Sequence, residues 1–226
     1  MIKLKGISRL YKIGQVKVTA LNEIDLSIEE GEFVTIMGPS GSGKSTLLNI
    51  IGCLDRPSAG TYELSQKRVE KLSDSALADI RNKYIGFVFQ RFHLMPALDA
   101  LGNVQLPLIY RGVFGRERRK RAKAALEMVG LADRMHHTPS QLSGGEQQRV
   151  AIARAIVVEP TVILADEPTG SLDSKSGSNI MSIFRNLNRE QGITIVQVTH
   201  SEEMAQYGSK VVRILDGQIE RIDKVG

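Results

Sequence analysis

Apolar residues follow two different patterns along the chain. In residues 11–33, YKIGQVKVTALNEIDLSIEEGEF, short apolar runs alternate with polar residues and glycines, which predicts antiparallel strands. Four later runs, EFVTIMG, YIGFVFQ, TVILADE and ITIVQVTH, are compact, β-branched or aromatic, and almost uncharged until they end. Such runs are typical of parallel strands that are buried on both faces of a sheet.

Helical segments separate these four runs. We predict helices at 44–52 and 176–190, and a mostly helical block from about residue 98 to residue 158 that contains no convincing strand. Strands that alternate with helices indicate an α/β fold with a parallel sheet. The long block is then a helical insert in that α/β core.

Chemically capable side chains follow each buried run. The first run leads into a glycine loop with Lys44, the second ends at Gln90, and the third ends at Asp166 and Glu167. The fourth ends at His200. Ligands of open parallel sheets bind beyond the carboxyl ends of the strands, and neighbouring strands are about 5 Å apart. We therefore expect these side chains to converge on one ligand.

The loop GPSGSGKST, residues 38–46, matches the P-loop pattern between a predicted strand and a predicted helix. Glycines let backbone N–H groups approach phosphate oxygens closely, and the helix N-terminus favours negative charge. Lys44 would bind the β- and γ-phosphates, Ser45 would offer its hydroxyl to Mg²⁺, and Thr46 would contact the α-phosphate. The candidate triphosphate-binding residues of the loop are Gly38, Pro39, Ser40, Gly41, Ser42, Gly43, Lys44, Ser45 and Thr46.

The other strand ends supply candidate catalytic groups. We predict that Asp166 holds Mg²⁺ directly or through water, and that Glu167 polarises the attacking water as general base. Gln90 would orient water or Mg²⁺, and His200 would hydrogen-bond the γ-phosphate. The alternatives are a helix-capping or solvated carboxylate, a strand-ending amide and a loop histidine. The predicted metal ligands are Ser45, Gln90 and Asp166, and the predicted catalytic residues are Lys44, Gln90, Glu167 and His200.

A second glycine turn, LSGGE at residues 142–146, precedes the apolar run VAIARAIVV. Ser143, the amides of Gly144 and Gly145, and the start of a helix predicted at 146–158 would suit an anion. A second copy of the chain would close this turn over the nucleotide of the first, in a two-fold dimer. The alternative is a simple capped helix start.

Composition narrows the class of protein. The 226 residues are 42% hydrophobic and 24% charged, with a formal net charge of +5. No run reaches the roughly 18 apolar residues of a membrane helix, and the N-terminus does not suggest a secretion signal. The basic segment 115–123 is either a solvated helix face or a contact for an anionic membrane or acidic partner. Aromatic residues are 5% of the chain, so we expect no nucleic acid partner.

The motifs GPSGSGKST, Gln90, LSGGEQQR, VILADEP, SLD and His200, in this order, resemble the ATP-binding-cassette (ABC) family over nearly the whole chain. The resemblance implies a single cassette that binds ATP and Mg²⁺. It would have a RecA-like core with an antiparallel β part, at 1–89 and 159–226, and a helical subdomain at 90–158. It also implies that Tyr11 stacks on adenine and that Asp173 crosses the interface of an ATP-sandwiched homodimer. Ser143, Gly144, Gly145 and Asp173 would then act on the ATP of the second copy.

Longer stretches, such as IIGCLDRPSAG and NVQLPLIYRG, resemble prokaryotic ATPases of lipoprotein-release and macrolide-export systems. That resemblance implies an ATPase at the cytoplasmic side of the inner membrane, coupled to a separate permease that docks near Arg91–Leu98. Many relatives have glutamine where this chain has Arg91. The alternatives are a cell-division ATPase of the FtsE type, a soluble ABC protein that acts on DNA or ribosomes, and a P-loop kinase.

Overall fold

The computed structural model describes residues 1–225, in two compact units. The first unit comprises residues 1–81 and the described residues from 194 onward, and the second comprises residues 82–193. The strands are β1 (Ile2–Ile13), β2 (Val16–Ile28), β3 (Phe33–Met37), β4 (Ala59–Leu64), β5 (Lys67–Arg68), β6 (Ile85–Phe89), β7 (Val162–Asp166), β8 (Thr194–Val198), β9 (Lys210–Leu215) and β10 (Gln218–Lys224). The helices are α1 (Lys44–Ile51), α2 (Asp74–Tyr84), α3 (Ala100–Tyr110), α4 (Gly115–Met128), α5 (Gly144–Ile156), α6 (Ser174–Gln191) and α7 (Glu202–Ala205).

The first unit contains the predicted antiparallel strands. β1 pairs antiparallel with β2 on one side and β4 on the other, and β5 extends the sheet beyond β4. Along β2 the buried residues Leu21, Ile24, Leu26 and Ile28 are separated by exposed ones, so one face of the sheet is covered. The pattern did not predict β4 or β5. β5 is two charged residues long, too short to show any alternation.

The first unit also contains two of the four predicted parallel strands. β3 lies between β8 and β9 and is parallel to both, and β10 returns antiparallel along β9. Every residue of β3 and β8 is buried, which explains why these runs carry no charge. Since β3 leads into α1 and β8 leads toward His200, the P-loop and His200 follow neighbouring strands at the same edge.

The second unit contains the other two predicted parallel strands and the helical block. β6 pairs parallel with β7, and Phe89 lies opposite Asp166. Between residues 98 and 158 the structure has α3, α4, α5 and two short 3₁₀ turns, with no strand among these described residues. α5 packs against α3, α4, α6 and β6, so its apolar run VAIA is buried on several sides.

Helix α2 was not predicted. Its sequence, DSALADIRNKY, is mostly polar, and only Leu77 and Ile80 are buried. Two apolar residues three positions apart are too few to establish a helical period. No helix within residues 1–225 combines the length and the apolar character needed to cross a membrane.

Candidate functional site

The P-loop joins β3 to α1 in the first unit, as the motif requires. Gly43 occupies the N-cap of α1 with φ of 102°, and α1 begins without a side-chain cap. By contrast, Asp99, Ser143, Asp173 and Ser201 cap α3, α5, α6 and α7 with their side chains. Helix α4 also begins without a side-chain cap, so it is the P-loop motif together with the helix N-terminus that favours an anionic ligand at α1.

Glycine is required at two positions of the P-loop by the surrounding backbone. A Cβ atom on Gly38, whose φ is 157°, would lie 2.1 Å from the carbonyl oxygen of Ile214. A Cβ atom on Gly43 would lie 2.5 Å from the carbonyl oxygen of Ala20. Real Cβ atoms do not approach backbone oxygens this closely, so the first unit itself enforces these two glycines.

Lys44 and Ser42 show that the loop fits an anionic ligand. Lys44 is 8% exposed, and its ammonium donates to the carbonyl oxygen of Pro39 at 2.7 Å. It has no carboxylate partner within residues 1–225. The buried Ser42 hydroxyl also has no hydrogen-bond partner among the described residues. A nearly buried cation with only a neutral acceptor is well matched to triphosphate oxygens.

Gln90 and Glu167 lie close together in the second unit. A Cβ atom on Gly170 would lie 2.8 Å from Gln90 Nε2 and 3.2 Å from Glu167 Oε2, so both side chains reach the same point. Asp166 ends β7 opposite Phe89, the residue before Gln90. Glu167 has φ of 46°, a left-handed conformation that is costly for a non-glycine residue and is often found at functional sites. Gln90, Asp166 and Glu167 therefore lie at the carboxyl ends of the neighbouring strands β6 and β7.

The second glycine turn begins α5 with a capping box. The Ser143 hydroxyl accepts a hydrogen bond from the Glu146 amide at 3.3 Å, and Glu146 accepts one from the Ser143 amide at 2.8 Å. The hydrogen bond from the Ser143 amide lowers the pKa of Glu146. Helix α5 begins at Gly144, two residues earlier than the predicted start at residue 146. The alternative of a capped helix start is thus correct as a description of this turn, and it leaves the two glycines to be explained.

Gly144 and Gly145 are not required by the backbone of the chain. Both lie in the first turn of α5 without a positive φ. Cβ atoms there would lie 3.2 Å from Leu172 Cδ2 and 3.3 Å from Ser176 Cβ, which are side-chain atoms. Glycine in a helix costs up to about 1 kcal/mol relative to alanine. Glycine at these two positions therefore lowers the stability of the helix, and no backbone atom of the chain requires glycine there.

Asp173 is the N-cap of α6, close to the second glycine turn through Leu172 and Ser176. Its carboxylate accepts a hydrogen bond from the Ser176 amide at 3.0 Å, and hydrogen bonds from Ser176 lower the pKa of Asp173. The structure thus places the turn LSGGE and the SLD segment side by side in the second unit.

The predicted docking segment, Arg91–Leu98, is held by residues that the motifs did not identify. Phe92 and His93 have φ values of 55° and 48°, and the Arg154 guanidinium donates to their carbonyl oxygens at 2.7 and 2.5 Å. The buried Asn103 side chain accepts from the Met95 amide at 2.7 Å and donates to its carbonyl at 3.1 Å. Arg154 belongs to α5, so the helix that begins at the second glycine turn also shapes this segment. Its only sequence signal was a charge inside an apolar run.

Tyr11 lies in the first unit with two partners that the sequence did not indicate. Its hydroxyl donates to Asp55 at 2.7 Å, and the Arg9 guanidinium lies over its ring, 4.5 Å from the centroid. Tyr11, the P-loop and His200 thus belong to the first unit, and the remaining predicted site residues belong to the second.

Comparison with known proteins identifies the family. A family model described as ABC transporter matches residues 21–170. YknY of Bacillus subtilis (strain 168), an ABC transporter ATP-binding protein, is 56% identical over 219 residues, which are 97% of this chain and 95% of that protein. MacB of Sodalis glossinidius (strain morsitans), a macrolide export ATP-binding/permease protein, is 52% identical over 219 residues. That match covers 97% of this chain and 33% of MacB.

A solved structure matches over the full length. It is the dimeric structure of a post-hydrolysis state of the ATP-binding cassette MJ0796 bound to ADP and Pi. The TM-score is 0.93 at 51% sequence identity, and the match covers 100% of this chain and 99% of that one. The relative with that name comes from Methanocaldococcus jannaschii. The chain therefore belongs to the ABC transporter family and is an ATP-binding cassette that hydrolyses ATP.

Proposed function

We propose that this chain powers a membrane transport or mechanotransmission complex as a homodimer that encloses ATP and acts on a separate permease. The observation that carries the proposal is the difference between the two glycine turns. Gly38 and Gly43 of the P-loop are enforced by backbone carbonyls of their own unit, whereas Gly144 and Gly145 are not. Close approach of a phosphate held by a second copy gives these two glycines a reason.

In this proposal each copy contributes two sets of groups. Its P-loop, with Lys44, holds the triphosphate, and Tyr11 stacks on the base. Its second glycine turn, with Ser143, and its Asp173 act on the ATP of the partner. The dimeric MJ0796 cassette with bound ADP and Pi supports this arrangement by homology.

The proposed chemistry is hydrolysis of the γ-phosphate with Mg²⁺ as cofactor. Oxygen and amide ligands suit Mg²⁺, and Ser45, Gln90 and Asp166 would supply them. Glu167 would accept a proton from water as it attacks the γ-phosphorus, and His200 would hydrogen-bond the phosphate. The proximity of Gln90 and Glu167 around Gly170 supports their joint action on that water.

The permease would contact the segment Arg91–Leu98. Arg91, Met95 and Pro96 are exposed, and Met95 is 51% exposed, so apolar surface is available there. Arg154 and Asn103 fix the backbone of the segment, which suits a surface that transmits movement. MacB combines an ATP-binding part and a permease in one protein. In this proposal the equivalent permease is a separate polypeptide, and the complex lies at the cytoplasmic face of a prokaryotic membrane.

The dimer is tested with Glu167→Gln, which removes the general base while keeping the shape of the side chain. With Mg-ATP we expect this variant to elute as a dimer in size-exclusion chromatography with light scattering. The control Glu127→Gln makes the same change at an exposed position of α4, and we expect it to remain monomeric while it hydrolyses Mg-ATP. A monomeric Glu167→Gln protein with bound Mg-ATP would contradict the enclosed-ATP dimer.

A second variant tests the role of the second glycine turn. Adding Gly145→Asp to Glu167→Gln places a carboxylate where the proposal puts a γ-phosphate. We expect the dimer to disappear while each monomer still binds fluorescent ATP, because the P-loop that holds the nucleotide lies in the first unit and is unchanged. Loss of nucleotide binding by the monomer would show instead that the turn serves its own nucleotide.

A further inference from the structure

We propose that Arg9 and Asp55 are positioning residues that hold the Tyr11 ring in place for the nucleotide base. The proposal rests on the proposed function, in which Tyr11 stacks on that base. Arg9 and Tyr11 are two residues apart on β1, a spacing that puts both side chains on the same face of a strand. Asp55 follows α1, the helix that the P-loop begins.

The Asp55 carboxylate uses both of its oxygens in this cluster. Oδ2 accepts the Tyr11 hydroxyl at 2.7 Å, and Oδ1 pairs with the Arg9 guanidinium at 2.7 Å. Oδ1 also accepts the Arg56 amide at 2.8 Å, which fixes the carboxylate relative to its own backbone. The hydroxyl end of the tyrosine is therefore anchored to a charged acceptor of defined position.

Arg9 restrains the same tyrosine from a second direction. Its guanidinium carbon lies 4.5 Å from the ring centroid, within the range of a cation–π contact. The ring of Tyr11 is partly exposed, and the face beneath Arg9 is covered, so a base can stack only on the opposite face. A ring that is held at its hydroxyl and on one face loses little freedom when a base binds, which favours binding.

The cluster is not explained by stability alone. The Arg9 and Asp55 side chains are only 22% and 21% exposed, so both charges have lost much of their hydration. The buried Nε atom of Arg9 has no hydrogen-bond partner among residues 1–225. The guanidinium is therefore placed by its contacts with Asp55 and the Tyr11 ring, although its Nε donor stays unsatisfied at a cost.

The cluster also links the base-binding ring to the triphosphate loop. The Asp55 amide donates to the carbonyl oxygen of Asn49 in α1 at 3.2 Å. In the preceding turn, the Arg81 guanidinium donates to the carbonyl oxygen of Cys53 at 2.8 Å. The distance between Tyr11 and the first turn of α1 is thus fixed by a short chain of contacts within the first unit. A nucleotide with a base would gain from this fixed distance, and a bare triphosphate would not.

The test separates base binding from phosphate binding. We would measure KM and kcat for ATP, and the inhibition constant of inorganic tripolyphosphate, for Arg9→Met, Asp55→Asn, Tyr11→Phe and Tyr11→Ala. Since aromatic stacking on a base is strong, Tyr11→Ala should raise KM roughly tenfold or more, with Arg9→Met and Asp55→Asn raising it about three- to tenfold. Tyr11→Phe should raise it about two- to fivefold. For Arg9→Met and Asp55→Asn we expect kcat within about twofold of wild type and an unchanged inhibition constant for tripolyphosphate. Arg68→Met, which breaks the Arg68–Glu70 ion pair elsewhere in the first unit, is the matched control.

A double variant gives the decisive comparison. Arg9→Met added to Tyr11→Ala should raise KM no further, because Arg9 acts through the ring. The positioning role is wrong if Arg9→Met or Asp55→Asn weakens the binding of tripolyphosphate as much as that of ATP. It is also wrong if either variant leaves KM for ATP unchanged while Tyr11→Ala raises it. In both cases the proposed function stands. If Tyr11→Ala itself leaves KM unchanged, the proposed role of Tyr11 in binding the base fails as well.

Discussion

The two glycine turns of this chain look alike in sequence and differ in structure. In the P-loop, a Cβ atom on Gly38 would meet a backbone carbonyl at 2.1 Å. In the second turn, a Cβ atom on Gly144 would meet a side-chain methyl group at 3.2 Å. The P-loop precedes α1, which has no side-chain cap, whereas the second glycine turn begins α5, whose N-terminus has a capping box.

This difference separates two reasons for a glycine. Gly38 and Gly43 of the P-loop are needed because a Cβ atom there would collide with backbone carbonyl oxygens of the same unit. The glycines of the second turn are tolerated by the fold at a small cost and leave a flat helix start that something else can approach. In the proposed dimer, the phosphate held by a second copy gives Gly144 and Gly145 a reason that the fold itself does not give.

The largest expected effect comes from Gly38→Ala. Because the new methyl group would contact the Ile214 carbonyl, β3 or β9 must shift, and we expect a loss of about 3 kcal/mol or more in the free energy of unfolding. Urea denaturation followed by circular dichroism measures this loss. The matched variant Gly144→Ala should change stability by less than about 1 kcal/mol, since alanine favours the helix and only Leu172 must adjust. If Gly38→Ala and Gly144→Ala lowered the free energy of unfolding equally, the fold would not require one glycine more than the other.

The next effect concerns Arg154, which connects the helix of the second turn to residues 92 and 93. Arg154→Met keeps the length of the side chain but leaves the Phe92 and His93 carbonyls without their charged donor. We expect a loss of about 2–3 kcal/mol in the free energy of unfolding and faster proteolysis within 91–98. Burial lowers the pKa of Arg154, but an arginine guanidinium stays charged at the pH values of such experiments. Arg119→Met on exposed α4 is the control and should change stability by less than about 0.5 kcal/mol.

A smaller effect is expected from Ser143→Ala. This change removes the side-chain acceptor for the Glu146 amide and should cost about 1 kcal/mol of stability, as is usual for an N-cap. The P-loop helix α1 has no side-chain cap, so Ser42→Ala removes no capping hydrogen bond and should cost little stability for that reason. Thermal unfolding of the two variants compares the turns directly. A larger loss from Ser42→Ala would mean that the buried Ser42 hydroxyl contributes more to the loop than its lack of partners suggests.

The smallest effect is a pH dependence of the second turn. The Ser143 amide lowers the pKa of Glu146 in the folded state, so the carboxylate stabilises the fold above its unfolded pKa of about 4.3. That contribution is lost as pH falls through the lowered folded-state pKa. Glu146→Gln keeps the capping hydrogen bond and should flatten the fall in stability between about pH 5 and pH 3. Denaturation curves at several pH values measure this slope, and an unchanged slope would exclude Glu146 as its source.

Local patterns in the sequence were sufficient for much of the fold. The four uncharged runs are β3, β6, β7 and β8, and the P-loop lies between a strand and a helix because its motif and its flanking periodicity are continuous in the chain. The antiparallel start is also confirmed as β1 and β2. The sequence analysis did not predict α2, α7, β4, β5, β9 or β10. A polar helix such as α2 and a two-residue strand such as β5 leave little periodic signal.

The sequence by itself determined which chemical groups this cassette carries, because each motif is contiguous and its chemistry depends on residue type and spacing. Only the tertiary structure decided which distant residues support them. Asp55 reaches Tyr11 across 44 positions, and Arg154 reaches Phe92 across 62. It also decided that Gly38 and Gly43 are enforced by the carbonyl oxygens of Ile214 and Ala20, while no backbone atom enforces Gly144 or Gly145. Such pairings depend on how the strands and helices pack, and no local pattern records the identity of a neighbour that is remote in the chain.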